Sequence, residues 1–313
     1  MPKISVIIPT CNRAEYLPLA IASVLNQTFQ DFELIVVDDA STNNPSELVE
    51  SFHDDRIKFF RHEARKGGSA ARNTGIVNSK CDYIAFLDDD DEWFPEKLAR
   101  QMAALLASPS DVACVYTGYV TVDRSTGKTL GQMVPARKGD LSKHLLRSNC
   151  IGGTSCVLVK RECFDKIGLF DESLPSFQDY DLWIRISKWF HFDSVKEPQL
   201  KYHVHQKKIW GNLEALNQGI DIMLRKYGNS HSFRKYLSYQ YLNLGVSYCY
   251  KGDTDAARKS YLQAIRLYPF EIRHYFNVCL SMLGPAGFVK IKKAKVDIMP
   301  PLRHKFLLRS PKE

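Results

Sequence analysis

Mainly apolar strands that end in carboxylates alternate with helical segments over the first 110 residues. The runs Ile4–Pro9, Phe32–Asp38 and Tyr83–Asp88 are strand-like, and intervening stretches such as Ala14–Gln27 place apolar residues at helical spacing. Apolar strands that alternate with helices predict a parallel sheet covered by helices. Ligands of such sheets bind beyond the carboxyl ends of the strands. The pattern therefore predicts an α/β fold and the edge of the sheet at which its site lies.

Charge is distributed unevenly along the 313 residues. Residues 1–200 carry 23 Lys+Arg and 28 Asp+Glu, whereas residues 201–313 carry 20 and 7, so a net charge of −5 precedes one of +13. A nucleic-acid-binding domain is basic, and here the part with strand–helix alternation is acidic. We therefore expect no nucleic-acid partner. Strand patterns stop near residue 212, which predicts a helical, basic C-terminal region.

The N-terminal segment and the cysteines predict a cytoplasmic protein. The first apolar run has five residues before Pro9, which is too short for the core of a signal peptide. No stretch approaches the roughly 20 apolar residues of a transmembrane helix. The eight cysteines form neither a CxxC pair nor a zinc-ligand spacing, so we expect reduced and mostly buried thiols.

Four consecutive aspartates, Asp88–Asp91, follow the strand that begins at Tyr83. Most acidic runs are solvated turns, but like charges at the end of a buried strand repel one another unless something neutralises them. Carboxylates together with substrate phosphates are a typical site for Mg²⁺, and oxygen ligands favour Mg²⁺ or Mn²⁺ over zinc. Because Asp38 and Asp39 end a neighbouring strand, the pattern predicts a metal–phosphate site.

Six segments, taken in order, identify a family resemblance. They are SVIIPTCNR (5–13), LIVVDDAS (34–41), GGSAARNTGI (67–76), FLDDDDEWFPEKL (86–98), IGLFDESL (167–174) and QDYDLWIR (178–185). Together they resemble the family-2 glycosyltransferases with the GT-A nucleotide-sugar-binding fold, over residues 3 to about 205. The resemblance implies a GT-A catalytic domain at 1–210, with a mostly parallel central sheet flanked by helices. It also implies metal-dependent, inverting transfer of a hexosyl or hexosaminyl group from a nucleotide-diphosphate sugar to an acceptor hydroxyl.

The resemblance implies roles for single residues on the donor side. Pro9, Thr10 and Asp39 would face the nucleotide base and ribose, where a carboxylate can accept the imide N–H of uracil. Arg13 and Arg72 would direct positive charge towards the diphosphate. The alternative for Asp39 is a turn or helix cap, and the alternative for Arg72 is a surface arginine on an amphipathic helix.

The acidic run matches the D-x-D element of the family. By that resemblance Asp88 would contact ribose or metal-bound water, and Asp90 would bind Mn²⁺ or Mg²⁺ directly. Asp89 occupies the variable middle position and is assigned to the nucleotide-sugar site, while the resemblance assigns no role to Asp91. His205 matches a family histidine near the diphosphate or the metal, and a structural histidine is the alternative.

Asp179 stands directly before an amphipathic helix, at the position of the family's general base. The alternative role is an N-cap, and Asp181 is a second candidate for the base. Gln178 replaces the usual glutamate, so any auxiliary charge at that position is missing. Cys11 likewise replaces a frequent aromatic residue and cannot stack comparably near the nucleotide base.

Residues 211–285 show a helical, tetratricopeptide-like pattern. Its positions are Tyr241, Leu244, Gly245, Tyr248, Ala257, Tyr261, Ala264 and Pro269. Gly245 and Ala257 would let two helices approach closely, with Gly252 and Asp253 in the turn between them; an ordinary helical hairpin is the alternative. Residues 286–313 mix apolar and basic residues. They predict a basic amphipathic tail that contacts an anionic membrane surface, with a solvated tail as the alternative.

The resemblance favours a UDP-sugar as donor and a carbohydrate or lipid-linked glycan as acceptor, with the enzyme cytoplasmic and peripheral at the membrane. Two other functions stay open. Nucleotidyltransferases also bind nucleotides through carboxylate-held metal, but they usually have a Gly-rich phosphate loop where this chain reads PTCNR. The second open function is a non-catalytic scaffold, but the intact Asp39, Asp88, Asp90 and Asp179 argue against it. Acceptor selection is expected in the loops at 123–155, which contain no interpretable motif.

Overall fold

The computed structural model describes residues 3–204, 212–284 and Gly287. His205 and, apart from Gly287, the predicted tail at 286–313 therefore lie outside the described residues. Contacts divide the chain into two units, residues 1–233 and 234–313. The functional division predicted at residue 210 stays a prediction.

Nine strands in the described part of the first unit form one mixed sheet. They are β1 Ile4–Thr10, β2 Phe32–Asp38, β3 Ile57–Arg61, β4 Tyr83–Phe86, β5 Glu92–Trp93, β6 Val112–Asp123, β7 Thr129–Met133, β8 Val157–Lys160 and β9 His191–Val204. Their order is β3-β2-β1-β4-β8-β6-β9-β5, with β7 beside β6. All except β5, β7 and β8 run in one direction. This mostly parallel sheet confirms the predicted fold class.

Helices cover both faces of this sheet. They are α1 Leu17–Leu25, α2 Ser46–Glu50, α3 Gly68–Asn78, α4 Lys97–Ala107, α5 Ser142–Leu145, α6 Glu162–Ile167, α7 Gln178–Ile186 and α8 Leu213–Tyr227. Every residue of β1 and β2 is buried. Burial on both faces is the reason that these strands are apolar without alternation.

The parallel register places the ends of three strands at one edge of the sheet. Thr10 is opposite Asp38 in the β1–β2 ladder, and Ile7 is opposite Phe86, the last residue of β4. The Asp39 amide donates to the Thr10 carbonyl at 2.9 Å. The polar residues that follow β1, β2 and β4 therefore lie together, as expected for such a sheet.

Two local predictions are wrong, and both concern segments beside the site. The sequence indicates a strand from Ser155, but a 3-10 turn occupies Thr154–Cys156 and β8 begins only at Val157. The sequence also indicates a serine cap for α3, whereas Gly67 precedes that helix and Ser69 is its second residue. Gly67 has a φ of 95°, which glycine adopts without the steric cost of a Cβ atom.

The second unit contains α10 Thr254–Leu267, α11 Ile272–Ser281 and most of α9 His231–Lys251. A Cβ atom on Gly245 would lie 2.4 Å from the Tyr261 ring, so glycine is required for this close approach. Gly252, with a φ of 88°, forms the turn to α10. The predicted close approach and turn are confirmed. None of the helices in the described ranges combines the length and the apolar composition that crossing a bilayer requires.

Candidate active site

The acidic run Asp88–Asp91 forms a tight loop directly after β4. The Asp91 amide donates to the Asp88 carbonyl at 3.0 Å, which reverses the chain. Among the described residues, Asp88, Asp90 and Asp91 each offer a carboxylate oxygen within 4.8 Å of the other two. Oxygen donors of this kind are what Mg²⁺ and Mn²⁺ prefer, so these residues fit a divalent cation. Asp91, to which the resemblance assigns no role, belongs to the cluster.

Asp89 links the acidic loop to the segment after β1. Its carboxylate accepts hydrogen bonds from Thr10 Oγ1 at 2.8 Å and from Arg13 Nη1 at 3.0 Å, and Arg13 also reaches Asp90 at 3.2 Å. Burial raises the pKa of Asp89 to about 6, although Arg13 and Thr10 act to lower it. The structure thus brings four of the predicted site residues into direct contact.

Asp39 holds the segment that leads into α3. One carboxylate oxygen accepts a hydrogen bond from the Lys66 amide at 2.8 Å and lies 2.8 Å from His62 Nδ1, and the other accepts from the Gly67 amide at 2.7 Å. Burial acts to raise the pKa of Asp39, but the Lys66 amide, the His62 ring and the Gly67 amide together lower it. Asp39 is therefore an ionised carboxylate between β2 and α3.

Pro9 and Asp38 lie within strands rather than in the loops after them. Pro9 is buried in β1 opposite Val37. The Asp38 carboxylate accepts a hydrogen bond from the Ser41 amide at 3.1 Å. The alternative role predicted for Asp39 is to stabilise a turn. In the structure Asp38 stabilises that turn.

Arg72 connects α3 to the acidic loop. Its Nη2 lies 2.5 Å from Asp88 Oδ1, and the centre of its guanidinium lies 5.7 Å from the centroid of the Phe170 ring. The side chain is only 13% exposed. Arg72 is therefore an enclosed cation beside the carboxylate cluster, and not a solvated surface arginine.

Asp179 is the second residue of α7 and is half-buried. Burial raises its pKa to about 6; the Tyr180 amide and Arg72 act in the opposite direction, while Asp88 raises it further. Asp179 therefore lies within the electrostatic field of the Arg72–Asp88 pair. A carboxyl group whose pKa approaches neutrality is well suited to proton transfer.

Asp181, the second candidate for the base, is fully buried. Its carboxylate accepts hydrogen bonds from Arg185 Nε at 2.8 Å and the Tyr227 hydroxyl at 2.7 Å, and lies 2.5 Å from Lys226 Nζ. These contacts occupy the carboxylate and connect α7 to α8. Asp181 therefore stabilises the helix that carries Asp179.

The turn that presents α7 has an unusual backbone. Phe177 has a φ of 65°, which is uncommon for a bulky residue. Helix α8 packs closely on this turn, because a Cβ atom on Gly219 would lie 3.0 Å from Ser176 Cβ and 3.1 Å from the Phe177 ring. The close packing of Gly219 supports the turn from which Asp179 follows.

Three side chains reach the acidic loop from residues 123–155, where the sequence offers no motif. The hydrogen bonds are Arg124 Nη1 to Asp90 O at 3.3 Å, Thr154 Oγ1 to Asp88 Oδ1 at 3.1 Å and Ser155 Oγ to Asp91 Oδ2 at 2.7 Å. Asp91, which the resemblance leaves without a role, could have been predicted as a site residue from its place in the acidic run. Arg124, Thr154 and Ser155 are ordinary loop residues, and no spacing distinguishes them.

Known proteins are similar to this chain in sequence. Residues 5–168 match the family model of Glycosyl transferase family 2. An uncharacterized glycosyltransferase of Rickettsia felis is 35% identical over 226 residues, which cover 69% of this chain but 37% of that protein's length. The Escherichia coli UDP-Glc:alpha-D-GlcNAc-diphosphoundecaprenol beta-1,3-glucosyltransferase WfgD is 31% identical over 248 residues, 78% of this chain and 93% of that protein.

A solved structure has the same fold. The mannosyltransferase PcManGT from Pyrobaculum calidifontis, in complex with GDP-Man and Mn²⁺, superposes with a TM-score of 0.60 and 17% identity over 96% of this chain and 82% of that one. At this identity the likeness concerns the fold. The family model and the relatives decide the family: the chain belongs to glycosyl transferase family 2.

Proposed function

We propose that this protein is a metal-dependent, inverting glycosyltransferase. Its donor would be a nucleotide-diphosphate sugar, with a UDP-sugar favoured, and its acceptor a hydroxyl of a carbohydrate or a lipid-linked glycan. One observation carries the proposal: the carboxylate cluster of Asp88, Asp90 and Asp91 shares a sheet edge with Arg72 and with Asp179, whose pKa is near neutral. The name of WfgD, which specifies UDP-Glc and a diphosphoundecaprenol-linked acceptor, supports these donor and acceptor classes.

The carboxylate cluster would hold Mn²⁺ or Mg²⁺, with His205 as a further expected ligand. The bound cation would neutralise the diphosphate and stabilise it as a leaving group. Arg13 and Arg72 would add positive charge on the same side. Both arginines already contact carboxylates of the acidic loop, which supports this role.

The nucleoside would bind beside the ends of β1 and β2, near Pro9, Thr10 and Asp39. Asp39 keeps one carboxylate oxygen with a single hydrogen bond, from the Gly67 amide, and a carboxylate oxygen can accept a second. Asp89, held by Thr10, would orient this wall of the site. In this proposal these residues would form the wall that contacts the base and the ribose.

Asp179 would activate the acceptor. Its carboxylate would take the proton of the acceptor hydroxyl while that oxygen attacks the anomeric carbon. The new carbon–oxygen bond forms on the face opposite the diphosphate, the bond to the diphosphate breaks, and its electron pair leaves with the nucleotide. The anomeric configuration inverts. A pKa of about 6 keeps Asp179 ionised at pH 7 yet basic enough to assist.

A thermal-shift panel of nucleotide diphosphates with and without Mn²⁺ or Mg²⁺ tests the donor site. A nucleotide that binds the folded protein raises its Tm by mass action, and we expect UDP to do so only when the cation is present. Asp90→Asn should abolish this shift, whereas Asp55→Asn, a change at an exposed aspartate, should not. A protein whose Tm responds to no nucleotide diphosphate would contradict the proposal. A nucleotide-release assay with UDP-sugars and acceptors then measures transfer.

We also propose peripheral membrane contact through the basic residues 286–313. The exposed surface of α11 supports it, because Ile272 and Phe276 are 78% and 41% exposed, while the helix is buried through His274, Leu280 and Ser281. An exposed apolar stripe that is followed in the sequence by a basic segment suits an anionic lipid surface. Such contact would bring the enzyme to a lipid-linked acceptor.

Sedimentation of the full chain with phosphatidylcholine vesicles, with and without phosphatidylglycerol, tests the membrane contact. We expect binding to the anionic vesicles that weakens at high salt, and weaker binding for the double variant Ile272→Glu, Phe276→Glu. Leu106→Glu, which changes an exposed apolar residue on α4, is the matched control. Failure to sediment at low salt would contradict the contact without touching the catalytic proposal.

A further inference from the structure

The carboxylates of the acidic loop must be held against their mutual repulsion. Three of their oxygens lie within 4.8 Å of one another, and ionised carboxylates at such distances repel strongly in a partly buried site. A cation site binds tightly when its ligands are already in position before the ion arrives. The structure of the loop's support is therefore relevant to the affinity for the cation.

Ser155 makes hydrogen bonds to both ends of this loop. Its Oγ accepts from the Asp88 amide at 3.0 Å and donates to Asp91 Oδ2 at 2.7 Å. A serine hydroxyl has a single hydrogen, and here it is directed to the Asp91 carboxylate. Thr154 adds a bond from its Oγ1 to Asp88 Oδ1 at 3.1 Å. Ser155 is 2% and Thr154 3% exposed, so bulk water cannot readily replace these contacts.

Buried residues of α4 and β5 hold the 3-10 turn that carries Ser155. Trp93 Nε1 donates to the Ser155 carbonyl at 3.0 Å, and Gln101 Nε2 donates to the Cys156 carbonyl at 2.9 Å. Lys97, which is fully buried, donates to Gln101 Oε1 at 2.6 Å, and its Nζ lies 3.9 Å from the centroid of the Trp93 ring. Ser155 therefore has a fixed position relative to the core.

We infer that Ser155 is a positioning residue for the cation: by joining the Asp88 amide to the Asp91 carboxylate it holds Asp91 in the carboxylate cluster and thus sets the affinity for Mn²⁺ or Mg²⁺. The inference rests on the proposed function, in which these carboxylates hold the cation. Removing a hydrogen-bond partner of a metal ligand typically lowers metal affinity 10–100-fold. We expect a loss of about that size when the Ser155 hydroxyl is removed.

The test titrates Mn²⁺ into the full chain and measures free Mn²⁺ by electron paramagnetic resonance, with and without UDP. Ser155→Ala is expected to raise the Kd for Mn²⁺ about 10–100-fold. Ser187→Ala is the matched control, because Ser187 is a buried serine whose Oγ donates to the Ile184 carbonyl of α7 at 2.9 Å; its Kd should stay at the wild-type value. This readout does not depend on turnover, so it separates positioning of the carboxylates from a general loss of activity.

If Ser155→Ala does not fold, Ser155→Cys takes its place, since it keeps a side chain of similar shape with only a weak hydrogen-bond donor. A Kd for Mn²⁺ that equals the wild-type value in a folded Ser155 variant would overturn the inference and leave the proposed function intact. A wild-type chain that binds no Mn²⁺, with or without UDP, would overturn both.

Discussion

Arg72 of α3 lies 2.5 Å from Asp88 of the acidic loop, and both residues act on the pKa of Asp179 in α7. Three segments that are far apart in the sequence therefore meet in one electrostatic unit. Arg72 lowers the pKa of Asp179 and Asp88 raises it, so the charge balance on the donor side influences the group expected to activate the acceptor. Changes to either side should consequently be visible in the pH dependence of transfer.

Replacement of Asp179 by asparagine should lower kcat by about 10²–10⁴-fold, the usual contribution of a positioned base. Binding of the nucleotide diphosphate should stay near the wild-type value, because Asp179 is expected on the acceptor side. Steady-state kinetics and nucleotide titration measure the two effects separately. Asp165→Asn, at an exposed aspartate of α6, is the control; comparable turnover in Asp179→Asn and this control would remove Asp179 from the mechanism.

The rate of transfer should fall as the pH drops through about 6. A base must be deprotonated to accept a proton, and burial raises the pKa of Asp179 to about 6, so the protonated, inactive form accumulates below that pH. A profile of kcat against pH between 5 and 8 measures this acidic limb, the fall in rate at low pH. The pKa of Asp89 is also raised to about 6, so the same profile in Asp179→Asn decides the assignment: a limb that persists there belongs to another group.

Removal of the divalent cation should abolish transfer. The carboxylate cluster of Asp88, Asp90 and Asp91 is acidic, so without a cation it would repel the diphosphate of the donor. Excess EDTA should stop the reaction, and Mn²⁺ or Mg²⁺ added beyond the chelator should restore it. Full activity in EDTA, after prior dialysis against the chelator, would show that the cluster serves another purpose.

Replacement of Gly219 by alanine should destabilise the protein by about 1–3 kcal/mol, the usual cost of overpacking. The new Cβ atom would lie 3.0 Å from Ser176 Cβ and 3.1 Å from the Phe177 ring, so the turn before α7 must shift. We expect a lower urea midpoint together with a lower kcat, since Asp179 follows that turn. Gly131→Ala, in open space on β7, should leave the urea midpoint unchanged; equal stability of the two variants would show that the turn adapts freely.

Most strands and helices of the first 110 residues could be predicted closely because burial on both faces leaves a strong apolar signal in the sequence. β2 has the predicted bounds, Phe32–Asp38. Prediction failed at Ser155, because this polar residue, directly before the apolar run Cys156–Val159, belongs to a turn and not to the strand. A pattern of apolar residues predicts which residues are buried. It does not predict that a serine is also buried when its hydroxyl makes two hydrogen bonds.

The roles of neighbouring aspartates show a similar limit. The acidic run itself indicates a cation site, but it does not show that Asp89 and Asp91 make different contacts in the fold. Asp89 is bonded to Thr10 and Arg13, whereas Asp91 joins the carboxylate cluster. Successive side chains of a tight turn point in different directions. The position of each aspartate in the turn therefore decides which partner its carboxylate contacts.

The sequence by itself determined the mostly parallel α/β fold, the edge of the sheet where polar residues gather and, through ordered motifs, the family. Each of these depends on local periodicity or on adjacent residues. The tertiary structure alone decided that Asp181 is enclosed by Arg185, Lys226 and Tyr227 while Asp179 is only half-buried, and that Ser155 supports the acidic loop. Those assignments depend on hydrogen bonds between residues that lie up to 67 positions apart, and such contacts leave no periodic trace in a single chain.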